Sequence, residues 1–211
     1  MASNLFARLP RLAQKSKISL RNNFVTISII TISMPDPIPS HAKIVFQGQI
    51  FEVWQWEQKM FDGSIAIFER LRRPDTAQVV ATVGDKILLE TQQQPDNMTP
   101  FPSLPGGRCE GFNEEPLTAA KRELLEETGY AADDWLLWQE QNPVGKIQWT
   151  IYTFIARNCV KQQEPHLDSG EKITTRLIDF DEFLMLSEHL LFRARFDDKA
   201  KETLRTLLFG K

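Results

Sequence analysis

The chain has 211 residues, enough for one domain with its own core or a domain with a small appendage, and its 25 Lys and Arg against 28 Asp and Glu leave a net charge of −3. That balance announces no polyanion-binding surface and argues against a nucleic-acid partner. Two cysteines, Cys109 and Cys159, exclude a disulfide scaffold and fit a reducing, cytoplasmic compartment; the separated His41, His166 and His189 give no zinc site of the usual kind, and no apolar run reaches membrane-spanning length.

Residues 1–35 differ from the rest. They carry Arg8, Arg11, Lys15, Lys17 and Arg21 with no acidic residue before Asp36, and a β-branched run from Val25 to Ile32. We expect a disordered or non-native extension, with Met34, just before the Pro-rich PDPIPS, as the true start. An organelle transit peptide over residues 1–33 is the competing reading of that composition.

From Lys43 the pattern turns to short strands. KIVFQGQIFEVWQWEQ alternates around Gly48 as a hairpin, and SIAIFERLRR continues it after the Phe61-Asp62-Gly63 turn, giving a small antiparallel sheet over residues 43–73. TAQVVATV and KILLETQQQ, joined through Gly84-Asp85, form a second hairpin, more uniformly apolar and so more buried. Residues 74–211 make up the main domain. Pro95 to Pro105 reads as a loop that delivers the chain to a helix.

That helix is the most informative stretch. Gly106, Gly107 and Gly111 belong to a turn-rich loop, Pro116 suits a first helical turn and Gly129 supplies a left-handed stop. Leu117, Ala120 and Leu124 form an apolar stripe, while Glu123, Glu126 and Glu127 crowd a neighbouring face within the last turn. The helix dipole is negative there, so each carboxylate is unfavourable by about 0.3–1 kcal/mol. Arg122 can pair with Glu126, but one cation does not offset three anions. A solvated acidic face is the ordinary reading of such a helix end; a hard divalent cation, which takes carboxylate oxygens and bridges to phosphates, is the alternative.

After Gly129, WLLWQ and KIQWTIYTFIARN read as strands, LDSGEKITTRLIDFDEF as a polar loop, a strand and an acidic helix start, and the Leu-rich tail as two helices. The order, strands, hairpin, helix, strands, helices, describes an α/β fold with a mixed sheet and helices packed on it.

The spacing around the helix resembles the Nudix hydrolase signature: glycine, five residues, glutamate, seven residues, then Arg-Glu-aliphatic-x-Glu-Glu-x-Gly-aliphatic. Glu114 is followed by seven residues and Arg122-Glu123-Leu124-Leu125-Glu126-Glu127-Thr128-Gly129. Two departures stand out: six residues separate Gly107 from Glu114, and Tyr130 replaces the final aliphatic. The resemblance implies a Nudix α/β/α sandwich. Residues 43–73 are similar to the small N-terminal sheet of the ADP-ribose pyrophosphatase branch, whose members pair as homodimers through it.

The family pattern implies Mg²⁺, with Mn²⁺ as a substitute, on Glu123 and Glu127, with Glu126 as a further ligand or as the partner of Arg122. It places Glu114 beside Arg122 in support and brings in a backbone carbonyl from the Gly106-Gly107 loop. Glu171, in the loop Asp168-Ser169-Gly170-Glu171, matches the acidic residue that serves as general base or extra ligand. For a nucleobase the candidates are Trp54, Trp56 and Phe61, although alternation puts both tryptophans on one strand face and equally allows a core role. Arg72 and Arg73, with Arg70, are candidates for phosphate or ribose. Gln92-Gln93-Gln94 stands where relatives often carry Gln-Tyr-Arg, and Pro143 lies near the proline position of that branch. The implied activity is hydrolysis of ADP-ribose or a related nucleoside diphosphate sugar to AMP and a sugar phosphate. Other nucleoside diphosphate derivatives, including triphosphates and dinucleotides, are the runner-up, and a non-catalytic nucleotide-binding module is the alternative of a different class.

Overall fold

A computed structural model describes residues 16–20, 23–27, 37–186, 192 and 198–210. The N-terminal extension, read from composition as lacking regular structure, lies largely outside the described residues. Its described part is a hairpin of β1 (Ser16–Leu20) and β2 (Asn23–Ile27), which belongs to a unit separate from residues 35–211. Ile18, Leu20, Phe24, Val25 and Ile27 are β-prone residues suited to such pairing.

In the second unit β3 (Lys43–Gln47), β4 (Glu52–Lys59) and β5 (Ile65–Arg72) form the expected small antiparallel sheet. Further along, β6 (Thr76–Val83) and β7 (Lys86–Gln94) are joined at Gly84-Asp85, where φ of +60° at Gly84 fits the first central position of a type II′ turn. The stretch expected as a loop contains β8 (Asn97–Ser103), antiparallel to β7, and β9 (Gly106–Arg108) on β6. Pro100 and Pro102 are tolerated because, among the described residues, β8 pairs with β7 alone and is an edge strand.

Helix α1 (Pro116–Thr128) starts at a proline and ends at Gly129, left-handed with φ 76° and ψ 6°, whose N–H donates to the Leu125 carbonyl. Beyond it come β10 (Tyr130–Ala131), β11 (Asp134–Gln141), β12 (Ile147–Gln148), β13 (Ile151–Arg157), β14 (Val160–Lys161) and β15 (Lys172–Ile178). They are followed by α2 (Phe180–Leu186) and α3 (Asp198–Phe209). The expected single strand KIQWTIYTFIARN is two: β12 pairs parallel to β5 and extends the small sheet, and β13 pairs parallel to β6 in the main one.

The main sheet runs β11-β13-β6-β7-β15, with β8 and β9 added to β7 and β6. Small residues set its contact with α1: Ala77, Ala81 and Ala156 of the sheet and Ala119 and Ala120 of the helix are buried with Leu88, Leu124 and Phe154 in one cluster. On the other face α3 packs against β13 and α2 against β7, burying Phe183, Leu204, Leu207 and Leu208. The result is the α/β sandwich expected. One irregularity places the site: β6 and β7 pair only beside their turn, at Thr82↔Ile87 and Val83↔Lys86, and then part, β6 toward β9 and β7 toward β8, while β15 holds the other edge of β7 along its length.

Candidate active site

Where β6 and β7 part, the last turn of α1 meets β7 and the β9 glycines. Glu127 is buried, and its Oε2 accepts the Gly106 N–H at 2.7 Å. Glu123 lies over the backbone of Gly107, where a Cβ would fall 2.7 Å from the glutamate Cδ; any side chain there would displace the carboxylate. Gly106, at φ +145°, is equally committed, since a Cβ would sit 2.6 Å from Gln78 Cα.

Arg122 binds the cluster together. Its Nε and Nη2 donate to the two carboxylate oxygens of Glu114, each at 3.2 Å, and its Nη1 donates to Glu123 at 3.0 Å and Glu126 at 3.1 Å. The fork geometry is what lets one guanidinium serve three carboxylates. Nη2 also donates to the Arg108 carbonyl, tying α1 to β9, and the Glu110 N–H donates to Glu114.

Sequence reasoning missed Glu90. It sits in the middle of β7, fully buried, with Oε2 accepting from Gln92 Nε2 at 2.9 Å and Ser103 Oγ at 3.4 Å, and with Oε1 lacking a hydrogen-bond partner. Within KILLETQQQ a glutamate on a strand otherwise so apolar was the available signal. Gln92, first of the three glutamines, serves to hold it.

These carboxylates are in an environment that resists their charge. Burial, and then the neighbouring Glu90, pushes the Glu127 carboxyl up to about 10; burial pushes Glu90 up to about 7 against the hydrogen bonds from Gln92 and Ser103. Glu123 is raised as well, burial outweighing Arg122. Glu114 moves the other way: burial is overcome by the Arg122 and Glu110 hydrogen bonds, which hold it below the usual carboxylate range. Burial of Arg122 is likewise outweighed by its carboxylate partners, so its guanidinium is raised.

A second segment closes over the helix end. The N–H groups of Gln162 and Gln163 donate to the Gly129 carbonyl, and the His166 N–H donates to that of Glu126 at 2.7 Å. This satisfies one orphan carbonyl of α1 and that of its capping glycine, and sets the loop that carries Asp168 and Glu171, itself a turn with Glu171 N–H donating to the Asp168 carbonyl. A cavity of about 400 Å³ results, lined by Glu123, Glu126, Glu127, His166, Asp168 and Glu171. Gly107, Arg122 and Phe112 border it too, as do Gln47, Gly48, Gln49 and Ile50 of the β3–β4 turn.

The aromatic candidates stand elsewhere. Trp56 is 8% exposed and meets Phe68 edge-on at 6.0 Å, so it belongs to the core of the small sheet, as the one-face alternation allowed. Trp54 donates its Nε1 to Glu52 Oε2 and does not line the cavity; Phe61 is wholly exposed in its turn. Arg72 lies 3.9 Å from the Phe112 ring centroid, near the cavity wall, and Arg73 is held at 4.5 Å from Trp149.

The NUDIX domain family model matches residues 72–200 of the chain. The chain belongs to the NUDIX domain family. By that membership it is a Nudix pyrophosphohydrolase. Two relatives are Bacillus proteins: the methanol dehydrogenase activator of Bacillus methanolicus, 26% identical over 144 residues (66% of this chain and 77% of that one), and the ADP-ribose pyrophosphatase of Bacillus subtilis, 24% identical over 147 residues (68% and 79%). The crystal structure of an ADP compounds hydrolase shares the Nudix fold, with a TM-score of 0.63 at 19% identity, covering 83% of this chain and 95% of that one.

Nudix hydrolases generally use divalent metal ions, and the donors present fit one. They are all oxygens, which suits a hard cation; Glu90 and Glu127 are buried close enough to share a proton that a cation would replace, and Gly107 leaves the Glu123 carboxylate its place. Among the described residues no three His, Cys, Asp or Glu side chains stand as a ready coordination set, since Arg122 and the Gly106 N–H engage the carboxylates instead.

Proposed function

We propose that this Nudix chain hydrolyses the diphosphate linkage of ADP-ribose or a related nucleoside diphosphate sugar, giving AMP or the corresponding monophosphate and a sugar phosphate, with Mg²⁺ or Mn²⁺ at the α1 glutamates. The observation that carries the proposal is the cavity lined by Glu123, Glu126 and Glu127, with buried Glu90 beside Glu127, a density of acidic groups that folding alone does not favour. Support for the substrate comes from the relatives named an ADP-ribose pyrophosphatase and an ADP compounds hydrolase.

Glu123 and Glu127, with Glu126 and the Gly107 carbonyl, would hold the cation. Once bound, such an ion neutralises charge on phosphoryl oxygens and favours hydroxide over water at neutral pH. Arg122, paired with Glu114, keeps the glutamates aligned. Glu171, on the loop fastened to α1, accepts a proton from the attacking water, whose oxygen bonds to one phosphorus as the bond from that phosphorus to the bridging oxygen breaks; the second phosphate leaves with the bridging oxygen. In-line positioning accounts for most of the acceleration in such transfers.

The small sheet supports a homodimer. Strand β3 is exposed along its length, with Ile44, Val45 and Phe46 facing outward, an apolar edge that a second copy would cover. Both cysteines are free and buried, in keeping with a reducing cytoplasm.

The test is a chromatographic product assay of ADP-ribose, nucleoside triphosphates and dinucleotides with Mg²⁺. ADP-ribose should show the highest kcat/KM and yield AMP. Preference for a triphosphate or dinucleotide would move the substrate, and tight binding of ADP-ribose without cleavage would make the protein a nucleotide-binding module.

A further inference from the structure

The cavity that the α1 glutamates line has a second chemistry in its wall. It reaches from the α1 glutamates to the β3–β4 turn, where Gln47, Gly48, Gln49 and Ile50 line it, and Phe112 forms part of the wall. Phe112 is 39% exposed, a large aromatic on the same loop that carries one residue more than the family spacing. Gly111 beside it has φ +68° and no atom within 4 Å of where a side chain would begin, so the loop is not shaped by packing there.

The ring is braced all the same. The Arg72 guanidinium lies 3.9 Å from its centroid, and Arg72 is itself 3.7 Å from the buried carboxylate of Glu52. A cation on an aromatic ring is attracted by the ring's quadrupole, which holds the ring without burying it. Phe112 also borders a smaller cavity of about 60 Å³ with Arg73, Asp75 and Glu114, so it stands as a partition between the two. A braced, half-open aromatic in the wall of a cavity that also carries the α1 glutamates has the form of a stacking platform.

From this arrangement we infer that the nucleobase of the substrate stacks on Phe112, with the side-chain amides of Gln47 and Gln49 at its edge. The inference rests on the diphosphate hydrolase reading for the position of the phosphates. Stacking of a base on an aromatic is worth about 1–3 kcal/mol, and an amide offers both a donor and an acceptor to a base edge. Phe112 takes the place that the sequence pattern gives to Trp54, Trp56 and Phe61, none of which lines the cavity.

The experiment compares Phe112→Ala, Phe112→Leu and Phe112→Tyr with the wild type. Calorimetry gives Kd for AMP and for ribose 5-phosphate, and steady-state assays give KM and kcat for ADP-ribose. Ala and Leu should raise the AMP Kd and the ADP-ribose KM about 10- to 100-fold, the stacking energy expressed as affinity, with the effect on KM rather than kcat. Tyr should recover most of the loss, and the ribose 5-phosphate Kd should not move. Leu keeps the apolar bulk, so a loss in Leu that Tyr repairs separates stacking from packing. Unchanged AMP affinity in Ala and Leu, an equal loss for ribose 5-phosphate, or no AMP binding by the wild type would overturn the inference. If no nucleoside diphosphate is cleaved and AMP affinity still falls in Leu and returns in Tyr, the proposed reaction fails and the platform stands. If ADP-ribose is cleaved with an unchanged KM in Leu, the reaction stands and the platform fails.

Discussion

Replacing Glu127 by Gln should damage activity and strengthen the metal-free fold. Glu127 is 4% exposed, and its Oε2 accepts the Gly106 N–H, a bond that a glutamine carbonyl can keep. Its carboxyl is pushed up to about 10 by burial and by Glu90, from an unperturbed value of 4.5. A carboxylate whose folded pKa is raised favours the unfolded chain once that chain ionises, so stability is lost as pH climbs from about 4.5 toward 10. At about 1.4 kcal/mol per pH unit above the unperturbed 4.5, the penalty at pH 8 is on the order of 5 kcal/mol, and it is small near pH 5. For a chain of this size about 1 kcal/mol moves Tm by about 2–4 °C. In chelator, Glu127→Gln should therefore melt several degrees higher than wild type at pH 8 and nearly level with it at pH 5, while Mn²⁺ should raise the wild-type Tm more than the variant's. Turnover of ADP-ribose should fall roughly a hundredfold or more, the scale of losing one electrostatic partner of a transition-state charge. Calorimetric melting at the two pH values checks the first part. Equal Tm gains at both, or undiminished turnover, would refute the reasoning.

Gly129→Ala should destabilise by about 2 kcal/mol or more, because the left-handed backbone costs about 1–2 kcal/mol and the new Cβ meets the Gln163 carbonyl; urea unfolding measures it. Trp56→Ala, which empties a core position against Phe68, should lose about 3–5 kcal/mol while the KM for ADP-ribose stays as it was, and a raised KM in a protein of wild-type Tm would reverse that assignment. Glu171→Gln should reduce kcat by about 10²–10⁴-fold with little effect on KM, as expected of a general base, and steady-state kinetics decide it. A chain beginning at Met34 should match the full chain in Tm and kcat, since residues 35–211 form a unit of their own; loss of folding on truncation would make the β1–β2 hairpin integral.

What was readable in the sequence is what adjacent residues determine. The start and stop of α1, the crowding of Glu123, Glu126 and Glu127, and the Gly84-Asp85 turn depend on spacings of a few residues, and each is found where the spacing puts it. Glu90 was not readable, because its burial depends on β6 parting from β7 and on Ser103 arriving from β8, although its contact with Gln92 is local to its own strand. The prolines of β8 misled for a related reason: they forbid a central strand, and only the topology reveals an edge. The two tryptophans share a face as alternation requires, yet how deeply each is buried is tertiary; Trp56, beside its cross-strand neighbour Phe68, is the buried one. The extra residue of the Gly107–Glu114 loop was visible as a number, whereas the stacking of Phe112 under Arg72 needed the fold.

The central claim, that the α1 glutamates serve a divalent cation in cleaving a diphosphate, is tested most directly by phosphorus NMR of ADP-ribose incubated with the protein and Mg²⁺. The diphosphate resonances should give way to those of two phosphomonoesters, AMP and ribose 5-phosphate, and excess chelator should stop the conversion. Diphosphate resonances that persist with Mg²⁺ present, or conversion that proceeds unchanged in chelator, would contradict it.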